Sequence, residues 1–162
     1  MPACPKPTRG KRIEKGTSKV PRQKLFRRIK VKIHDDWSLF VRRRDKHCVL
    51  CGTTENLNAH HWIVNAGRSL AARFCVGNGI SLCFSCHRFK VHATAAAVYI
   101  DKLKDYMIPV HISEDEYQEI AAMVSETADF TMDELQELSA AFDRLLARQG
   151  AALGVGPTER LG

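Results

Sequence analysis

The chain has 162 residues, 44% of them hydrophobic and 27% charged, with a net charge of +7. That length suits one compact domain with tails or a small appendage, and no apolar run reaches the roughly 18 residues that a helical membrane span needs. The charge is unevenly placed: twelve Lys/Arg against Glu14 alone in residues 1–34, ten against six acids in 35–111, and three against eleven in 112–162.

Residues 1–33 read as a flexible basic arm, because Pro2, Pro5, Pro7, Gly10, Gly16 and Pro21 interrupt any periodic pattern. Such an arm either contacts phosphates or merely aids solubility. The arm has no apolar segment of the kind found in a secretory signal. A reducing cytoplasm is therefore the expected compartment, and disulfides are not expected there.

A helix is expected next, capped by Asp35 or Asp36, with Trp37, Phe40 and Val41 forming one apolar face. Arg42, Arg43 and Arg44 close it with cations that suit the helix dipole; surface solvation and phosphate contact both remain open for them. CVLCGTT reads as a tight knuckle, with Gly52 free to take positive φ. LNAHHWIV reads as extended, so Leu57, Ala59, His61 and Ile63 share one side and Asn58, His60, Trp62 and Val64 the other. A glycine-broken loop leads to Ile80–Leu82 as a return strand. A helix then runs from about Ser85 to Met107, its spacing carried by Phe89, Ala96, Val98, Tyr99 and Leu103.

Pro109 ends that unit. Ser113-x-x-Glu116 and Thr131-x-x-Glu134 are capping-box patterns that open helices over 114–126 and 132–148. Ile120, Met123 and Val124, then Leu135, Leu138 and Phe142, give these helices apolar faces. The expected organisation is an arm (1–33), a core domain (34–110), an acidic helical hairpin (111–150) and a disordered tail (151–162). The hairpin is a candidate surface for a protein partner or for self-association.

Of six cysteines, Cys48, Cys51, Cys83 and Cys86 form two Cys-x-x-Cys pairs with 31 residues between them. Two intervening residues let the backbone turn back so that both sulfurs reach one ion. A four-thiolate site has no open position, so the expected zinc is structural. Cys75 reads as a small buried hydrophobe and Cys4 as an incidental thiol. His60, His61 and His87 concentrate within or beside the cysteine loop. Adjacent histidines on an extended segment face opposite ways, so one can hold a metal while its neighbour faces a substrate.

CVLCG, NAHHWIV and NGISLCFSCHRFKVH, in that order, resemble an HNH (ββα-metal, His-Me finger) endonuclease with added paired cysteines. The likeness extends upstream through DDWSLFVRRRDKHC to small phage recombination-type (NinG-like) members, and covers residues 35–108. It implies an α+β fold: a small ββα-metal core with a Cys4 zinc, flanked by helices and followed by the helical hairpin. It also implies a metal-dependent endonuclease that hydrolyses DNA phosphodiesters in a prokaryotic or phage-infected cell. By resemblance, His60 and His87 are ligands of a catalytic divalent ion, His61 is the general base, and Asn78 holds the loop that orients it. That ion would be Mg²⁺ or Mn²⁺, with Ni²⁺ or Zn²⁺ also suited to imidazole. Arg68 and Arg73, with Arg42 and Arg43, are candidate DNA contacts; solvated loop charge is the other reading for the first two. Members with a further helical ligand place it four residues on, where this chain has Val91. His92 stands one residue later, roughly 140° beyond His87 on an ideal helix. Either that turn is distorted, or His92 lines the groove without binding. The rival function is a zinc-containing module that binds DNA without cutting it.

Overall fold

The computed structural model describes residue 4 and residues 22–92, 96–108, 110–125 and 129–154. It is a mixed helical protein with one small antiparallel sheet. Helix α1 (Arg22–Asp45) is followed by strand β1 (Leu57–His61), short helix α2 (Leu70–Arg73) and strand β2 (Gly79–Cys83). Helix α3 (Phe84–Cys86) continues into a π-wound turn over His87–Val91, and helices α4 (Ala96–Met107), α5 (Glu114–Ala122) and α6 (Met132–Leu153) complete the chain. No helix among the described residues is long and apolar enough to cross a membrane.

Helix α1 is the first departure from the sequence reading. Residues 22–33, assigned to a flexible arm, are its first half, and Asp35 and Asp36 lie in its middle rather than at its cap. The reason is a stripe that the interleaved lysines and arginines disguise. Ile33, Trp37 and Val41 are fully buried at i, i+4 and i+8, and Phe26 and Ile29 extend the same side as partly buried neighbours. Lysine and arginine are good helix formers, so they lengthen the helix rather than break it. Residues 1–3 and 5–21 of the expected arm lie outside the described residues.

The two strands pair in one register, with Leu57 opposite Cys83, His60 opposite Ile80 and His61 opposite Gly79. One core gathers Ile33, Trp37 and Val41 of α1 with Phe74, Cys75 and Val76 of the loop, and with Ile120, Met123, Phe130, Leu135 and Phe142. A second packs Ile80 and Leu82 with Trp62, Cys48, Cys83 and Cys86, and with Leu103 and Met107 of α4. Burying each large apolar side chain contributes about 1.5–3 kcal/mol. The stretch expected to stand apart as an acidic hairpin is thus part of the main core.

Both helices are N-capped, but only one of the two expected capping boxes closes, because Glu116 Oε1 meets no hydrogen-bond partner among the described residues. Ser113 accepts from the Glu116 amide at 3.1 Å, and Thr131 and Glu134 cap each other reciprocally, at 2.7 and 3.3 Å. The expected pairing of these helices is replaced by docking of α6 along α1, where Gln149 Nε2 donates to the Phe40 carbonyl at 3.1 Å. Lys32 pairs with Asp143 at 2.7 Å and Lys30 with Asp129 at 2.8 Å, so acids of the C-terminal part meet cations of α1. Val124 is exposed, and α6 runs on to Leu153, into the expected tail.

Cys75 is buried as expected, but it is joined to Cys4 in a disulfide with the two Cα atoms 4.7 Å apart. This corrects both the incidental role of Cys4 and the expectation of no disulfide: Cys4 packs, partly buried, against the core that holds Cys75.

Gly79 sets how closely α1 approaches the sheet. A Cβ there would stand 2.7 Å from Trp37 Cζ2 and collide with Val41 as well. Gly79→Ala is expected to destabilise the fold by about 1–3 kcal/mol, as overpacking of a tight core does; a urea unfolding midpoint reads this directly.

Candidate metal centres and histidine site

The first knuckle turns at Gly52, whose φ of +79° follows from the reversal after Cys51. Its frame is closed by the Gly52 amide donating to the Cys48 carbonyl at 2.8 Å and the Cys48 amide to the Thr53 carbonyl at 2.7 Å. The Val49 amide fastens the knuckle to β2 through the Ser81 carbonyl at 3.0 Å. In the second knuckle Cys83 ends β2 and caps α3, its sulfur accepting from the Cys86 amide at 3.4 Å. The four sulfurs lie within 4.8 Å of one another, and Cys51 and Cys83 are 3.7 Å apart. Four thiolates about 2.3 Å from a tetrahedral ion stand about 3.8 Å apart, so this cluster can hold a metal ion such as zinc. Burial pushes the Cys86 thiol up to about 12 and also raises that of Cys48. Thiolates there therefore need a cation among them. Cys51 is drawn down to about 7, chiefly by its hydrogen bond with the Thr53 backbone.

A second cluster joins His60 of β1 to His87 and His92 at the two ends of the π-wound turn. Its ring nitrogens lie within 4.8 Å of one another; His87 Nε2 stands 3.0 Å from His60 Nδ1, and His92 Nε2 stands 3.3 Å from His87 Nε2. Imidazole nitrogens about 2.1 Å from a shared ion come to about 3.0–3.4 Å of each other. The three imidazoles could thus hold a metal ion. The displacement of His92 by one residue is absorbed by the winding: a π turn pairs i with i+5, and so returns position 92 to the side of position 87. Burial, then the neighbouring histidines, push His60 down to about 3, which keeps it a neutral donor.

His61 lines the same cleft of about 200 Å³ as those three histidines. Its Nε2 lies 2.9 Å from the Arg73 carbonyl. A carbonyl only accepts, so Nε2 carries the proton and Nδ1 holds the lone pair. The ring lies flat on the Trp37 indole, centroids 4.0 Å apart and planes 10° apart, and Trp37 Nε1 is itself tied to the Cys75 carbonyl at 2.9 Å. Burial is the main cause that pushes His61 down to about 4, against the Arg73 carbonyl, which raises it.

Asn78 touches no part of the cleft; it is fully buried and holds the chain on both sides of it. Its Oδ1 accepts from the Ile63 and Val64 amides at 2.9 and 3.0 Å, and its Nδ2 donates to the Val64 and Ala72 carbonyls at 2.7 and 2.9 Å. It is a positioning residue for the segment after His61 and for the loop that presents the Arg73 carbonyl.

The arginines divide. Arg68 is exposed and Arg73 half-buried beside the cleft; Arg42 lines a separate hollow with Asn58 and Phe84. Arg43 is 1% exposed, so it is removed from the candidate DNA contacts by burial within α1's packing. Arg44 is an internal clamp, donating to the Val76 and Gly79 carbonyls at 2.9 and 2.6 Å and pairing with Asp45 at 2.7 Å. Asp45 in turn accepts from the Ser81 amide at 2.7 Å. His34 is the residue that sequence reasoning missed, its ring 6.0 Å from that of His61. Its position three before Trp37 was the signal, legible only once α1 is known to reach so far upstream.

Compared with known proteins, the chain matches no family model, no curated protein and no solved structure.

Cys83→Ser is expected to lose the metal of the thiolate cluster and to lower the thermal unfolding midpoint sharply, while His60→Ala keeps both. Elemental analysis with calorimetry on the two variants separates the clusters.

Proposed function

We propose that the chain is an HNH-type endonuclease that hydrolyses phosphodiester bonds in DNA with a divalent metal ion. The observation that carries this reading is the side-by-side placement, in one cleft, of three converging imidazoles and a fourth whose basic nitrogen is fixed in one tautomer.

His60, His87 and His92 would hold the ion. Three imidazoles favour Mn²⁺, Ni²⁺ or Zn²⁺ over the oxygen-seeking Mg²⁺. When bound, the ion supplies a Lewis acid that neutralises charge gathering on the phosphate.

His61 is the general base. Its Nδ1 takes a proton from the attacking water as the water oxygen bonds to phosphorus and the P–O3′ bond breaks; the leaving O3′ takes a proton from solvent water and departs as a 3′-hydroxyl. The Nε2–H remains on the Arg73 carbonyl throughout, so the imidazolium formed is stabilised without moving. Trp37 holds the ring plane, and Asn78 holds the loop that bears that carbonyl. Arg68 and Arg73 would contact flanking phosphates.

His61→Ala is expected to lower nicking of supercoiled plasmid by about 10²–10⁴-fold, the range of a lost general base, with fold and metal content unchanged. Cleavage should need added divalent ion and stop with EDTA. A His61→Ala protein that cuts at near the unsubstituted rate would overturn the assignment.

A further inference from the structure

Helix α1 carries a second organised face. Ile29, Ile33 and Trp37 turn toward the core, whereas Arg22, Arg27, Lys30 and His34 line a groove of about 860 Å³ together with Arg73 and Asp129. Phe26 orders two of these cations, with Arg22 and Lys30 standing 5.7 and 5.9 Å from its ring centroid, one helical turn to either side. Arg73 brings a guanidinium whose Nε is buried and meets no hydrogen-bond acceptor among the described residues. Asp129 is the one acid among the described residues of the groove, and it is engaged by Lys30 at 2.8 Å.

The groove and the histidine cleft share no lining residue, but two contacts link them. His34 closes one end of it and stacks toward His61, and the same Arg73 that lines it holds His61 through its carbonyl. From Arg22 to His34 the helix rises about 18 Å, at 1.5 Å per residue. That is about five steps of duplex at 3.4 Å each.

We propose that this groove is the track for the nucleic-acid backbone on one side of the scissile bond, with Arg22, Arg27, Lys30 and Arg73 meeting successive phosphates. Asp129 competes with phosphate for Lys30 and so restrains binding. The register with His61 rests on the nuclease reading; the affinity of the groove for a backbone does not.

The full chain is titrated with a fluorescent 20-base-pair duplex across a salt series, without added divalent ion. Arg22→Ala/Arg27→Ala/Lys30→Ala is expected to bind more weakly and to flatten the slope of log K against log salt by about 2–3, near 0.9 per lost phosphate contact. Arg22→Lys/Arg27→Lys keeps the charge and should keep the slope, and matching thermal midpoints exclude a folding defect. Asp129→Asn should tighten binding by about twofold to fivefold, the range for release of a surface ion pair. An unchanged slope in the triple alanine variant overturns the track, as does weaker binding by Asp129→Asn. Plasmid cleavage at saturating DNA is measured in parallel. A chain that cuts but shows no groove-dependent slope loses the track alone; one with the slope that never cuts loses the nuclease reading alone.

Discussion

The contact on which the rest of this molecule turns is the Trp37 indole. One side chain ties α1 to the loop through the Cys75 carbonyl, fills the space that Gly79 leaves beside β2, and lies flat against His61. Core and site therefore share an atom set. An indole that buries its ring must also satisfy its N–H, and here that single hydrogen bond fixes the ring against which the histidine rests. Asn78 does the complementary work from the other side. All four of its side-chain hydrogen bonds go to backbone that flanks the cleft. A fully satisfied buried amide of this kind is stiff, so the chain on either side of His61 is held in one place.

The charge asymmetry of the sequence becomes an internal feature of the fold. Basic α1 and the acidic C-terminal part are joined through Lys32–Asp143 and Lys30–Asp129, and α6 packs on α1 instead of standing off as a free surface. Exposed ion pairs contribute little to stability. The apolar contacts of Leu135 and Phe142 hold α6 in place, and the pairs decide which cations on α1 stay available. The exposed Arg22 and Arg27, one turn and more upstream, are left facing the groove.

Local chemistry was legible in the sequence, and long-range packing was not. The Cys-x-x-Cys pairs, the alternation of His60 and His61, the return strand that pairs with β1, and the N-caps Ser113 and Thr131 follow from spacing over a few residues, because turn and strand geometry repeat on that scale. The length of α1 was hidden because its apolar stripe is thin until Trp37 and Val41 are counted with Phe26 and Ile29. Arg43 and Arg44 look like surface cations in sequence, yet one is buried and the other grips backbone 32 and 35 residues away. The Cys4–Cys75 bond spans 71 residues, and nothing local marks either partner. Docking of α6 on α1 is likewise a choice between two apolar faces that periodicity alone does not make.

The π-wound turn over His87–Val91 carries a lesson about how ligand patterns travel between proteins. A motif is counted in residues, but donors converge by angle, and the number of residues per turn is itself a variable of the backbone. H-x-x-x-H on an α-helix and H-x-x-x-x-H on a π turn are the same constellation written in two notations. One inserted residue is then absorbed as extra winding, and the remainder of the helix keeps its phase. A metal centre built this way tolerates an insertion that would scatter the ligands of a strand, and it is invisible to any search that treats spacing as fixed.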